Sequence, residues 1–131
     1  YSFCKQGPPY CTDGSGPSTG LLQATNGIFY GTTAGGGPLS GPYGTVFSLS
    51  TGLGPFVTTL PTSGNVGTAV TILGTNLTGA TSVAFNGKAA TFTVVSATEI
   101  TTSVPTGATS GTVRVTTPGG TLLSNVPFRI P

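Results

Sequence analysis

The sequence predicts an all-β chain, a sandwich of two antiparallel sheets preceded by a Gly-rich β-hairpin segment. Three observations predict it. Among 131 residues there are 22 Gly and 11 Pro, so turns are frequent and long helices are disfavoured. Charged residues make up 5% and hydrophobic residues 36%. Disorder pairs low hydrophobicity with high charge, so a chain this poor in charge and rich in Val, Ile, Phe and Thr reads as ordered β-structure. From Gly64 onward, short β-prone runs recur at spacings of about ten residues with turn signals between them, the pattern of a two-sheet sandwich.

The runs can be taken in order. Val66 to Leu73 (VGTAVTIL) is a strand with Val70 and Ile72 on one face. Ser82 to Phe85 leads through Asn86-Gly87 into Lys88 to Val95 (KAATFTVV). Two β-rich runs joined by Asn-Gly form the strongest short hairpin signal, because both turn residues must accept positive φ. Glu99 to Val104 follows and is closed by Pro105. Gly111 to Thr117 alternates Val113 and Val115 with Arg114 and Thr116. Pro118-Gly119-Gly120 turns the chain, and Thr121 to Ile130 supplies a last strand with Leu123, Val126 and Phe128 offered to the core.

The N-terminal part shows a second hairpin pattern. Leu21 to Ala24, Asn26-Gly27 and Ile28 to Thr33 form one pair of strands, and Thr45 to Leu49 (TVFSL) adds a further strand across a Gly/Pro-rich turn. Three short strands presenting Leu21, Phe29, Phe47 and Leu49 on one side are marginal in water by themselves.

The second part resembles the IPT/TIG family of immunoglobulin-like domains over roughly residues 55–130. The resemblance rests on an ordered set of positions. Gly67, Val70, Ile72, Gly74, Asn76 and Leu77 come first, then Ala80, Val83, Phe85, Asn86 and Gly87. Ile100, Val104 and Pro105 follow, and Gly111, Val113, Val115, Thr117 and Gly120 complete it. The resemblance implies a compact immunoglobulin-like β-sandwich without an intersheet disulfide, and no Cys occurs in this half. Family members are found in cell-surface receptors, bacterial surface proteins, accessory modules of secreted carbohydrate-active enzymes and some transcription factors. Fold alone therefore leaves function open. The first part resembles one copy of a Gly-rich, propeller-like tandem repeat of large secreted bacterial surface proteins. Its matching positions are Gly27, Phe29, Tyr30, Gly31, Thr32, Thr33, Gly44, Thr45, Val46 and Phe47. Those proteins carry several copies and this chain carries one. The expected division is thus a β-repeat segment over 1–54 and an IPT/TIG domain over 55–131.

Chemistry-bearing residues are few. There is no His, and the carboxylates are Asp13 and Glu99, which lie in unlike contexts. They make a poor general acid/base pair, and the hydroxyl residues lack a base to activate them. The expectation is a non-enzyme without cofactor or metal. Gly35-Gly36-Gly37 lacks the Lys-Ser/Thr ending of a phosphate-binding loop and reads as a turn. Lys5, Lys88, Arg114 and Arg129 give a net charge of +2, too sparse for the basic stripe that nucleic acid requires. No run approaches the ~18 apolar residues of a membrane span, so membrane insertion is not expected. No signal peptide is visible, so a secreted protein would be represented here in mature or excised form. Asn76-Leu77-Thr78 fits the N-glycosylation sequon, although the Asn-Leu pair also suits a turn.

Cys4 and Cys11 flank Gly7-Pro8-Pro9, a sequence suited to a reversal that brings the sulfurs together, and the expected disulfide points to an extracellular or cell-surface location. Tyr1-Ser2-Phe3 is a candidate assembly strand. Phe29, Tyr30, Tyr43 and Phe47 are candidate interface or ligand aromatics. A single repeat with open edges invites completion by strand addition. The leading expectation is therefore an extracellular structural protein that binds copies of itself, head to tail, in a filament or surface array. The alternative is a carbohydrate-binding or adhesive accessory module of a larger secreted protein.

Overall fold

The computed structural model describes residues 2–4, 11–37 and 43–131. Two units divide the chain, one ending at Leu53 and one beginning at Gly54. Tyr1 and the reversal expected at Gly7-Pro8-Pro9 lie outside the described residues.

In the first unit, β3 (Phe29–Gly35) is the central strand. On one side it pairs antiparallel with β4 (Thr45–Leu49), in the register Phe29 to Leu49, Gly31 to Phe47 and Thr33 to Thr45. On its other side lie β1 (Ser15–Pro17) and β2 (Leu22–Gln23) in succession. The β2–β3 turn differs in kind from the two-residue Asn-Gly turn. Ala24 N–H donates to Ile28 O and Gly27 N–H to Ala24 O, so the loop is Thr25-Asn26-Gly27 with only Gly27 at positive φ. Asn26 instead accepts the Ile28 N–H on its side-chain oxygen. β1 escapes sequence reading because Ser-Gly-Pro looks like a turn.

In the second unit the order is β5 (Thr58–Leu60), β6 (Ala69–Leu73), β10 (Glu99–Ser103) and β9 (Phe92–Ser96) in one sheet. The other sheet runs β12 (Gly120–Leu123), β11 (Val113–Thr117), β7 (Ser82–Phe85) and β8 (Lys88–Ala90). Alternation puts one row of inward residues on each sheet. Thr59, Ile72, Ile100 and Val94 stand opposite one another across the first, and Leu122, Val115, Val83 and Ala90 across the second. Phe85 and Phe128 meet edge to face, with ring centroids 5.2 Å apart. This is an immunoglobulin-like β-sandwich. Val57 links the sheets: its N–H donates to Leu123 O and its carbonyl accepts from Asn125 N.

Three expectations are corrected here. Lys88 to Val95 is two strands, because the chain passes from one sheet to the other at Thr91, whose carbonyl accepts the Thr102 hydroxyl at 2.7 Å. Ala90, Phe92 and Val94 all pack against the core, so the alternation runs unbroken through the switch and conceals it. Thr121 to Ile130 is not one strand either; β12 ends at Leu123, and Ser124, Phe128 and Arg129 make isolated bridges. The register of that strand also differs from expectation. Pro118-Gly119 is a two-residue turn pairing Thr117 with Gly120, which sets Leu122 opposite Val115 and buries it. Leu123 and Val126 are consequently 48% and 47% exposed, while Phe128 is buried as expected. β5 is an addition, a three-residue strand whose shortness leaves no legible periodicity.

Asn86 and Gly87 both have positive φ, at 46° and 84°, as the turn between β7 and β8 requires. The Asn86 amide also donates to Thr109 Oγ1 and Ser110 O, at 2.9 and 3.1 Å. Thr59 is the polar exception in the core, with a buried hydroxyl that has no hydrogen-bond partner among the described residues. Such a group costs about 1–3 kcal/mol when left unpaired. Replacing it with an isostere that lacks the hydroxyl, Thr59→Val, should therefore stabilise the chain by about 1 kcal/mol. The check is a raised urea midpoint at unchanged slope. By contrast, Phe85→Ala should cost about 3–5 kcal/mol through the cavity it leaves.

Candidate functional site

The first unit is built by close backbone approach. Thr33 is buried, and its hydroxyl donates to Gly35 O at 2.9 Å. With that proton used, the 2.8 Å contact with Thr45 Oγ1 makes the Thr45 hydroxyl the donor, and Thr45 N–H donates to the same oxygen at 2.9 Å. Gly14 seats against this pair: a methyl on it would lie 2.7 Å from the Thr33 hydroxyl. The Cys11 carbonyl accepts from both Gly14 N and Gly37 N, tying the disulfide region to the end of β3.

Cys4 and Cys11 form the disulfide, with Cα atoms 4.3 Å apart. Cys4 N–H donates to Asp13 Oδ1 at 2.9 Å. The neighbouring Phe3 packs edge-on against Phe47, with centroids 4.8 Å apart. Ser2 and Phe3 belong to no strand within the chain, and Tyr1, the third residue of the candidate assembly strand, lies outside the described residues.

These contacts frame a groove of about 570 Å³. Its apolar lining comes from Phe3, Pro17, Leu21, Phe47 and Leu49, and Asp13 and Thr19 add polar atoms. Gly31 lies under it. A Cβ there would sit 2.5 Å from the Phe47 ring and 3.0 Å from Leu21, so glycine is required for space. The candidate aromatics do not form one platform. Phe29 and Phe47 share the face of Gly31 by strand alternation, and Tyr30 takes the opposite face. The Tyr30 hydroxyl lies 3.2 Å from Asn26 Nδ2, which donates to it. Tyr43 is in the turn before β4 and is 79% exposed. Sequence reading did not find the groove or the parts played by Asp13, Thr33 and Thr45. The signal available was the pairing of a glycine with an aromatic across two strands.

Asp13 falls in the first unit and Glu99 in the second. Among the described residues no cluster of three or more His, Cys, Asp or Glu could hold a metal, and no helix is long and apolar enough to cross a membrane. Asn76, in the glycosylation sequon, is exposed at φ 55°, the turn conformation its family position suggests, while the neighbouring Leu77 is fully buried.

A family model for the IPT/TIG domain matches residues 55–130, more than half of the chain. The chain belongs to the IPT/TIG family. Comparison with curated proteins found no match. IPT/TIG domains are generally non-catalytic immunoglobulin-like modules of larger proteins, and such a domain beside an intrachain disulfide is compatible with an extracellular protein. The motif positions Val70, Ile72, Leu77, Val83, Phe85, Ile100, Val104, Val113 and Val115 are all core residues. They build this domain and leave its surface uncommitted.

Gly31→Ala should displace the Phe47 ring from Phe3 and destabilise the first unit by about 1–3 kcal/mol, the usual cost of overpacking. Amide hydrogen exchange should show lost protection in β3 and β4 and unchanged protection in β6, β10 and β11.

Proposed function

We propose that the chain is a non-catalytic extracellular structural module whose first unit self-associates. One observation carries the reading. Every buried hydrophobic side chain among the described residues lies between Val57 and Phe128. The buried residues among those described in the first unit are Thr33 and four glycines, Gly14, Gly27, Gly31 and Gly37. A sheet with no apolar core of its own is stabilised by a neighbour, which is how repeat units behave. The first unit accordingly acts as one copy of a Gly-rich β-repeat, followed in sequence by an IPT/TIG domain that folds around its own core. The chain's low charge supports association, since little repulsion opposes it. The surface filament or array suggested by the sequence is one form such association could take.

The groove supports a second reading, a carbohydrate-binding or adhesive module in which Phe47 and the adjacent polar groups take a sugar ring. Light scattering on the full chain, from micromolar to millimolar, separates the two. Rising mass with concentration is expected. A monomer at every concentration that is retained on a polysaccharide column, with retention lost in Phe47→Ala, would replace self-association with the carbohydrate reading.

A second expectation concerns the disulfide. Reduction should free the Phe3 segment from Phe47, seen as faster proteolysis before Thr12. Unchanged cleavage after complete reduction would show that the disulfide does not hold this segment.

A further inference from the structure

We infer that the first unit pairs through the outer edge of β4 with β4 of a second copy, antiparallel about a two-fold axis through Phe47. This rests on the self-association reading above and specifies its surface and symmetry. A strand edge offers unpaired N–H and C=O groups, and proteins guard such edges with Pro, charge, bulges, shortness or a covering segment.

The described edges can be compared on that basis. In the second unit, β12 is four residues long, starts at Gly120, and is capped at its end by Val57, which bonds to Leu123 and Asn125. β8 begins at Lys88, β5 runs directly into Pro61, and β9 lies against a bulge in the pairing with β10 between Glu99 and Ile100. In the first unit, the edge opposite β4 is broken into strands of three and two residues and contains Pro17, which has no N–H, beside Gly16 at φ 61°. β4 has none of these devices. It is five residues long, TVFSL, uncharged and free of Pro and Gly, and among the described residues it pairs with β3 alone. On one face, Thr45, Phe47 and Leu49 line the groove. Val46, on its other face, is 77% exposed.

The inequality of the two edges decides the symmetry. Head-to-tail addition needs an acceptor edge unlike the donor, and among the described residues of this unit the other edge is interrupted and lacks an N–H at Pro17. The strand that fits β4 is another β4. About an axis through Phe47, the two Phe47 side chains face each other, Val46 faces Ser48 of the second copy, and Thr45 faces its Leu49. No like charges meet, as pairing of a strand with itself requires. The interface is isologous and closes at two copies. A dimer, rather than the open filament expected from sequence, is the result.

Charge placed on β4 tests both edge and register. The full-length chain is measured by sedimentation equilibrium up to millimolar concentration, with circular dichroism confirming the fold of each variant. Wild type should reach twice its 12.9 kDa mass and no more. Val46→Lys combined with Ser48→Lys sets like charges opposite and should weaken the dimer by at least about tenfold. Val46→Glu combined with Ser48→Lys sets opposite charges across the axis and should restore it. A wild-type monomer throughout would overturn this pairing and self-association together. Assemblies that grow beyond two copies, a dimer indifferent to both variants, or one lost in both would overturn this edge or its register and leave self-association standing.

Discussion

Apolar burial is concentrated in the second unit, and it governs how that unit is built. The sandwich of the second unit, with the Phe85–Phe128 contact inside it, holds every buried hydrophobic residue among those described. Each large aliphatic or aromatic side chain so buried is worth about 1.5–3 kcal/mol, which makes this cluster the main source of stability in the second unit. The connections in that domain serve this packing. Asn86-Gly87 returns β7 to β8 in register, Val57 closes the side of the sheet ending in β12, and the crossing at Thr91 lets one run of sequence contribute to both sheets.

The first unit is held by other means. Glycines let its backbone segments approach where any Cβ would collide, and the saturated Thr33 hydroxyl joins β3 to β4. The disulfide fixes the segment carrying Phe3. None of these buries much apolar surface. Such contacts specify geometry more than they supply stability, and a unit built from them gains from a partner. The groove over Gly31 and the unguarded edge of β4 are two consequences of the same economy of side chains.

Much of the second unit was legible because burial imposes a period. Val70 and Ile72, and Val113 and Val115, alternate as inward-facing residues must, and the Asn86-Gly87 turn has the one chemistry that accepts two positive φ values in succession. Legibility failed where local pattern and tertiary placement part. Alternation was the same on both sides of Thr91, so a change of sheet left no mark. Leu122 and Leu123 are identical in chemistry, and only the length of the Pro118-Gly119 turn chose between them. In the first unit, Phe29, Tyr30 and Phe47 were recognisable as a cluster in sequence, but strand parity sends Tyr30 to the opposite face.

Fold class, the family of the second domain, most of its core and the turn at Asn86-Gly87 were all legible in the residues alone. Each of these is encoded locally, by side-chain period or by residues that tolerate a particular φ. Long-range packing settles which strands share a sheet, which leucine is buried, that Gly31 underlies a groove and that β4 pairs with β3 alone among the described residues. Those depend on register and on what lies across a sheet, and residues distant in sequence settle them together.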